Sequence, residues 1–252
     1  MLKYFFVLFL GFLFFSVLIE ISYANLPKDV NERGNDHGVL WRAYLLKEGD
    51  TPESLFGKYA SQAMRFNRLA KKFWKAGVII KKPENPSLLK TWTPMPLEYE
   101  FCSKKGICLS KLKKAIVIDL KKQYLGVYAN GKLRKLEKKE LKESDFTYIS
   151  FPVSTGTEAL ECKDSKTKQP INCLTPPGLF QIKSKAYKVF SWRYKVWMYY
   201  AMSIGHERYI HKGDLPGYPA SHGCIRMFRE DARYLWKHTP EGTYVFIVSS
   251  TE

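Results

Sequence analysis

Acidic residues are scarce in this sequence. Asp and Glu total 24 against 41 Lys and Arg in 252 residues, a formal net charge of +17. An excess of that size points to an anionic partner, and nucleic acid is the first candidate. No internal repeat at a fixed period is present, which leaves out solenoid and propeller arrays. There is no C-x-x-C or H-x-x-x-H pair to supply the four ligands of a structural zinc site. Cysteine is sparse and odd in number, 5 in all. Disorder is excluded by the 45% of hydrophobic and 15% of aromatic residues, which suffice for a sizeable core in one large domain or two small ones.

The opening residues bear on the compartment. Lys3 precedes an almost unbroken apolar run from Tyr4 to Ile19, followed by Glu20 and Ser22-Tyr23-Ala24 with small residues at the two cleavage positions. This pattern predicts a secretory signal peptide over 1–24. The alternative is a retained membrane anchor, since roughly 15–19 apolar residues lie near the lower limit for a span. Both place the remainder outside the cytoplasm, in the periplasm or cell envelope. The segment holds one Lys and one Glu, so its removal leaves the charge at +17. Export therefore argues against nucleic acid as the partner, and a membrane is a partner only if the segment is retained.

Export also permits disulfides. Four cysteines allow three connectivities. The local one, Cys102 with Cys108 and Cys162 with Cys173, has the lowest loop-closure cost. Cys224 is then left over, and an unpaired thiol in an oxidising compartment is a liability unless its chemistry is used.

Residues 25–42 are polar and predict a flexible lead-in. A small domain follows over 43–83: strand from Ala43 to Lys47, helix from Glu53 to Tyr59 after the Gly49-Asp50-Thr51-Pro52 turn, second helix within 62–72, strand at Val78 to Ile80. The Gly49-Asp50-Thr51 turn, Leu55, Asn67, Gly77 and Pro83 resemble a divergent lysin motif (LysM), which implies binding to peptidoglycan glycan. The alternative is a small α/β adaptor that packs on the second domain. Pro83, Pro86, Pro94 and Pro96 punctuate a connector over 84–113.

Over 114–252 the chain is strand-rich. Strands are expected at 115–119, 123–128, 148–153, 178–183, 195–204 and 243–248, with a hairpin turn at Asn130-Gly131 and one short helix over 230–238. The mainly β pattern suggests a β-sandwich or a related architecture. Residues 132–146 read as a charged, solvated excursion, and 162–173 as a cysteine-bracketed insertion. The aromatic-basic stretch from Tyr187 to Tyr200 either lines a cleft or packs as core and edge strand.

The chemistry gathers between Tyr209 and Arg226, which hold two of the five His and the leftover Cys. An imidazole beside a thiol makes it a nucleophile by stabilising the thiolate. Gly223 lets a carbonyl approach, and its N–H with that of Cys224 could hold an oxyanion. Arg226, two residues on, shares a face with Cys224 in an extended segment and could hold a carboxylate. Two readings compete with nucleophilic catalysis: a zinc site from His211, His222 and Cys224, and an inert buried Cys.

The run Ser221-His222-Gly223-Cys224-Ile225-Arg226, preceded by Ile210-His211, resembles the active-site signature of the L,D-transpeptidase catalytic domain. Val117-Ile118-Asp119-Leu120 with Gln123-Tyr124-Leu125, Pro152-Val153-Ser154-Thr155-Gly156 and Thr175-Pro176-Pro177-Gly178 resemble three further blocks of that family. The resemblance covers roughly 114–249. It implies a β-sandwich-type catalytic domain and a cysteine acyltransferase. Such an enzyme cleaves the L,D bond before the terminal D-alanine of peptidoglycan stem tetrapeptides and passes the acyl group to an amine. Water as acceptor would make it an L,D-carboxypeptidase; a non-catalytic peptidoglycan-binding protein is the alternative of another class. The resemblance assigns Cys224 as nucleophile and His211 as base, its ring oriented by a carbonyl just after it. His222 and Gly223 shape the site, and Arg226, Ser221, Tyr218 and Gly213 are its substrate-binding positions. No metal or organic cofactor is implied. The partners are stem peptides and glycan, with an outer-membrane lipoprotein as a further acceptor.

Residues 104–142 hold 13 Lys or Arg against 3 Asp or Glu. That concentration is a solvated basic face or an attractor of anionic wall polymer.

Overall fold

The computed structural model describes residues 26–137, 146–163 and 168–251. The expected signal segment lies outside them, as does most of the charged excursion at 132–146.

The N-terminal unit holds β1 (Arg33–Asp36), β2 (Val39–Leu45), α1 (Pro52–Phe56), α2 (Ala60–Asn67) and β3 (Ile79–Pro83). They form an antiparallel sheet in the order β1-β2-β3. The expected flexible lead-in is therefore half of a hairpin. His37 and Gly38 both take positive φ, 49° and 88°, as a tight two-residue hairpin turn requires. The Gly38 N–H donates to the Asn35 side chain at 2.8 Å. Trp41 covers Gly34, where any Cβ would sit 2.5 Å from its ring. Polar composition hid this strand.

Thr51 caps α1 reciprocally with Ser54, as the turn predicted. α2 stops at Asn67, short of the expected 72, because Arg68 turns left-handed at φ 50°. Asn67 is buried and ties α2 to β3, donating to the Ala63 and Lys81 carbonyls and accepting the Lys81 N–H. Trp41, Phe56, Phe66, Leu69, Trp74 and Ile80 fill the core between them.

The second unit is mainly β. Its strands are β4 (Ala115–Asp119), β5 (Tyr124–Ala129), β6 (Lys132–Leu133), β7 (Ser150–Ser154), β8 (Cys162–Lys163), β9 (Pro170–Ile171), β10 (Gly178–Gln181), β11 (Ser184–Ser191), β12 (Val196–Gly205), β13 (Arg208–Lys212), β14 (Ile225–Met227) and β15 (Tyr244–Val248). One helix, α3 (Arg229–His238), completes it. Ten strands join in the order β10-β15-β4-β5-β7-β14-β13-β12-β11, with β6 on β5. The β15–β4 and β13–β14 pairs are parallel. The sheet curls, so that residues of β4, β5, β7 and β15 meet those of β12, β13, β14 and α3 in one core.

β4 is buried along its whole length. Ile116 and Ile118 face that main core, whereas Ala115 and Val117 face a second one. The second core is closed by Met95, Tyr99, Phe101, Ile107 and Leu109 from the connector. The connector is thus a packed layer, pinned by the Cys102–Cys108 disulfide. The Cys162–Cys173 disulfide spans the β8–β9 insertion, and Cys224 is free.

The two units are docked together. Ala70 N–H donates to Leu215 O at 2.8 Å, and Arg68 Nη2 to Gly217 O at 2.9 Å. Tyr124 Oη donates to Arg65 O, and Trp92 stacks edge-on with both Phe66 and Tyr124. The segment held by Arg68 and Ala70 leads from His211 to Cys224.

Candidate active site

Strand register brings the key groups together. In the parallel pair, Ile210 lies opposite Ile225 and His211 opposite Arg226. Alternation puts Ile210, Ile225 and Met227 into the core, all fully buried. Tyr209, His211, Cys224 and Arg226 then share the other face. The Tyr209 backbone N–H reaches the Cys224 sulfur.

His211 Nδ1 lies 2.7 Å from the Lys212 carbonyl. A carbonyl only accepts, so Nδ1 carries the proton and Nε2 offers its lone pair. This is the orienting carbonyl expected from the sequence. Burial pulls the His211 pKa down to about 4, with Arg226 and Lys212 adding to the fall and the Lys212 hydrogen bond opposing it. Burial pushes the Cys224 thiol up, while the Tyr209 N–H and the charges of Arg226 and Arg208 pull it back in part. At neutral pH both groups are therefore uncharged. Burial is the largest cause for each group and biases each toward its uncharged form, against the thiolate–imidazolium pair expected from the sequence.

The turn before the thiol is built by internal bonds. Ser221 is buried; its hydroxyl donates to Cys224 O at 2.5 Å and accepts the Gly223 N–H at 3.1 Å. Two expectations are corrected here. Ser221 shapes the turn and has no exposed surface for substrate. The Gly223 amide is engaged, so of the two expected oxyanion donors only that of Cys224 remains a candidate. Gly223 itself stands at φ +102°, where glycine is favoured.

The four sequence blocks converge on this turn. Gln123 accepts the Thr155 N–H at 2.9 Å and donates to the Thr155 hydroxyl at 2.7 Å. Thr155 O accepts the Ala220 and Ser221 amides. Thr175 Oγ1 accepts the Gly156 N–H at 2.9 Å and donates to Gly223 O at 3.0 Å. Gln123, Thr155 and Thr175 were legible only as parts of blocks, and the structure shows them as the frame of the turn before Cys224.

The remaining expected positions divide. Arg226 lies beside the thiol, with its aliphatic stem against Gly213, where a Cβ would stand 2.7 Å from Arg226 Cγ. Gly213 thus makes room for that arginine. His222 stacks on Tyr194 at 4.3 Å between centroids and lines a cleft of about 670 Å³ together with Cys224. Tyr218 is exposed, lines neither of the two clefts at the site, and gives its backbone carbonyl to Ser154 Oγ at 2.8 Å. The zinc alternative loses its ligand set: among the described residues no three His, Cys, Asp or Glu side chains are grouped to hold a metal.

The stretch 187–200 resolves into both of its readings. Trp192 and Tyr194, at the β11–β12 tip, line the cleft. Tyr199 and Tyr200 pack on the core. Arg208 was not singled out from the sequence. It lines the 670 Å³ cleft and also a second one of about 840 Å³ on the Thr155–Gly156 side.

A family model for the L,D-transpeptidase catalytic domain (YkuD) matches residues 113–247. Among solved structures, an L,D-transpeptidase from Stackebrandtia nassauensis is 22% identical with a TM-score of 0.39, over 56% of this chain and 57% of that one. One from Xylanimonas cellulosilytica is 19% identical with a TM-score of 0.50, over 76% and 80%. One from Mycobacterium tuberculosis H37Rv is 16% identical with a TM-score of 0.41, over 89% and 98%. The chain thus spans little more than half the length of the first of these and most of the other two. At such identities the likeness concerns the fold, and the Xylanimonas structure carries it. No curated protein matches significantly.

Proposed function

The chain belongs to the L,D-transpeptidase catalytic-domain family, and from that premise we propose that it is an exported cysteine acyltransferase of peptidoglycan. Its substrate is the stem tetrapeptide, cut at the L,D bond before the terminal D-alanine. The observation that carries this reading is the shared face of His211 and Cys224, with the imidazole held as a neutral base.

In the proposed reaction His211 Nε2 takes the Cys224 proton as the sulfur attacks the scissile carbonyl. The Cys224 amide faces the oxygen as it gains charge. The adjacent Arg226 cation favours sulfur in its anionic form. His211 returns the proton to the departing D-alanine amine, leaving a thioester. An amine of a second stem then attacks, giving a 3→3 cross-link; a lipoprotein amine would give protein anchoring.

Export is supported by the N-terminal pattern of 1–24 and by two disulfides, which persist in oxidising compartments. The docking of the N-terminal unit on the 215–217 segment supports the adaptor reading of that unit.

The deciding experiment incubates the protein with disaccharide tetrapeptide and analyses the products by mass spectrometry. Dimers with loss of D-alanine are expected. Tripeptide monomer alone would make it a carboxypeptidase, and full turnover by Cys224→Ala would overturn the mechanism.

A further inference from the structure

Two arginines stand close enough to charge the thiol's surroundings, and one of them lines the cleft that holds Cys224. Arg226 packs its stem on Gly213 and lines neither cleft. Arg208 lines both clefts, and among the described residues the only other to do so is Asn172, from the cysteine-bracketed insertion. The Arg208 guanidinium is under-used. Its Nε is buried with no hydrogen-bond partner, and Nη1 donates to the His206 carbonyl at 3.2 Å. No acidic side chain among the described residues forms an ion pair with it, since neighbouring Glu207 pairs with Arg193. A buried donor left unpaired is costly, and more so on a charged group. Such a cost persists where a ligand removes it.

The position of that donor defines the ligand. Arg208 Nε lies 3.2 Å from where a Gly223 Cβ would stand, next to the nucleophile in the chain. Cys173 O and Leu174 O lie 3.5 and 3.6 Å from the same point. A stem peptide with its scissile carbonyl at Cys224 carries its terminal carboxylate one residue further on, about 3.8 Å along the chain.

Building on the proposed reaction, we propose that Arg208 receives the terminal carboxylate of the departing D-alanine. Its fork of donors matches a carboxylate bidentately. Arg208 thereby restricts the enzyme to stems that end one residue past the scissile bond. A longer stem would set a neutral amide against the guanidinium and leave the site's charge unpaired.

The test compares disaccharide tetrapeptide with two analogues, one a terminal carboxamide, the other amidated on an acyl-side carboxylate. For the wild type, kcat/KM should fall about 10- to 100-fold on the terminal carboxamide and change little on the acyl-side amide. Arg208→Gln should lose the same factor on the free acid and cease to discriminate, chiefly through KM, and Arg208→Lys should recover part of it. Calorimetric binding of the same three ligands to Cys224→Ala reads the preference without turnover. Carboxylate-selective binding without turnover in the wild type would strike the proposed reaction and leave the Arg208 assignment standing. Indifference of the wild type to the terminal carboxamide, a larger loss on the acyl-side amide, or full discrimination by Arg208→Gln would each overturn it.

Discussion

Arg65 of α2 and Asp231 of α3 form an ion pair across the junction of the two units, Nη2 to Oδ1 at 2.6 Å, with the carboxylate fully buried. Arg65 also reaches that carboxylate through Nε and stacks on Phe146 at 4.8 Å. Removing one partner of a buried pair leaves the other charge uncompensated. Arg65→Ala should therefore destabilise the protein by about 3 kcal/mol, read by urea unfolding. Equal midpoints for variant and wild type would show the units to be energetically independent.

The pH dependence of stability follows from His211. Its folded pKa, about 4, lies below the ordinary imidazole value. Between those values the unfolded chain binds the extra proton, so stability is intact above pH 6.5 and declines as pH falls toward 4. The lost stability is roughly 3 kcal/mol. His211→Gln should flatten that acid limb in melting temperatures measured from pH 4 to 7.

Thiol chemistry reports the same electrostatics. Because burial raises the Cys224 pKa, alkylation by iodoacetamide should rise with pH through the ordinary thiol range and beyond. A rate already at plateau near pH 6 would show a thiolate–imidazolium pair instead. Native, non-reduced protein should titrate as one free thiol.

Gly156 is the tightest glycine near the site. A Cβ there would stand 2.0 Å from Cys173 O, 2.7 Å from Thr175 N and 2.9 Å from Gly223 Cα. All three obstacles are backbone. Gly156→Ala should cost about 3 kcal/mol and lower turnover at least tenfold, because the displaced partners frame the nucleophile turn.

The insertion is braced by a disulfide of sequence separation 11. Replacing both Cys162 and Cys173 by Ser should destabilise by about 2–3 kcal/mol. Activity should fall further than stability, since Cys173 O backs Gly156 and Asn172 walls both clefts.

Much of this was legible in the chain. The β-branched run 115–119 is a strand along its full length, and Asn130-Gly131 forms the expected turn with φ of 50° and 77°. Alternation also put Arg226 on the face of Cys224, because a period of 2 is local, whereas His211 was assigned through the resemblance. Three things were not legible. β14 has only three residues, too few for a pattern, and takes its identity from pairing with β13 and β7. The Gly223 amide has a partner only once Ser221 is turned toward it. Arg208 stands at the start of β13, inside the sheet between β12 and β14, and it lines both clefts, which no local spacing encodes.

The placement of β15 bears on biogenesis. This strand enters the sheet between the edge strand β10 and β4, an internal position filled by residues 244–248. β4 is held on one side by β5 and waits on the other for a segment 125 residues or so further on, a contact of high sequence separation and slow formation. Until it arrives, the main core stays open and the Cys224 thiol stays reachable by oxidants. The two cystines close over short spans of 6 and 11 residues, so each is able to form before β15 is made. Early local closure leaves Cys224 without a partner for scrambling while the sheet is incomplete. The spacing of the five cysteines thus favours the two local pairings over any pairing with Cys224, before the fold itself does.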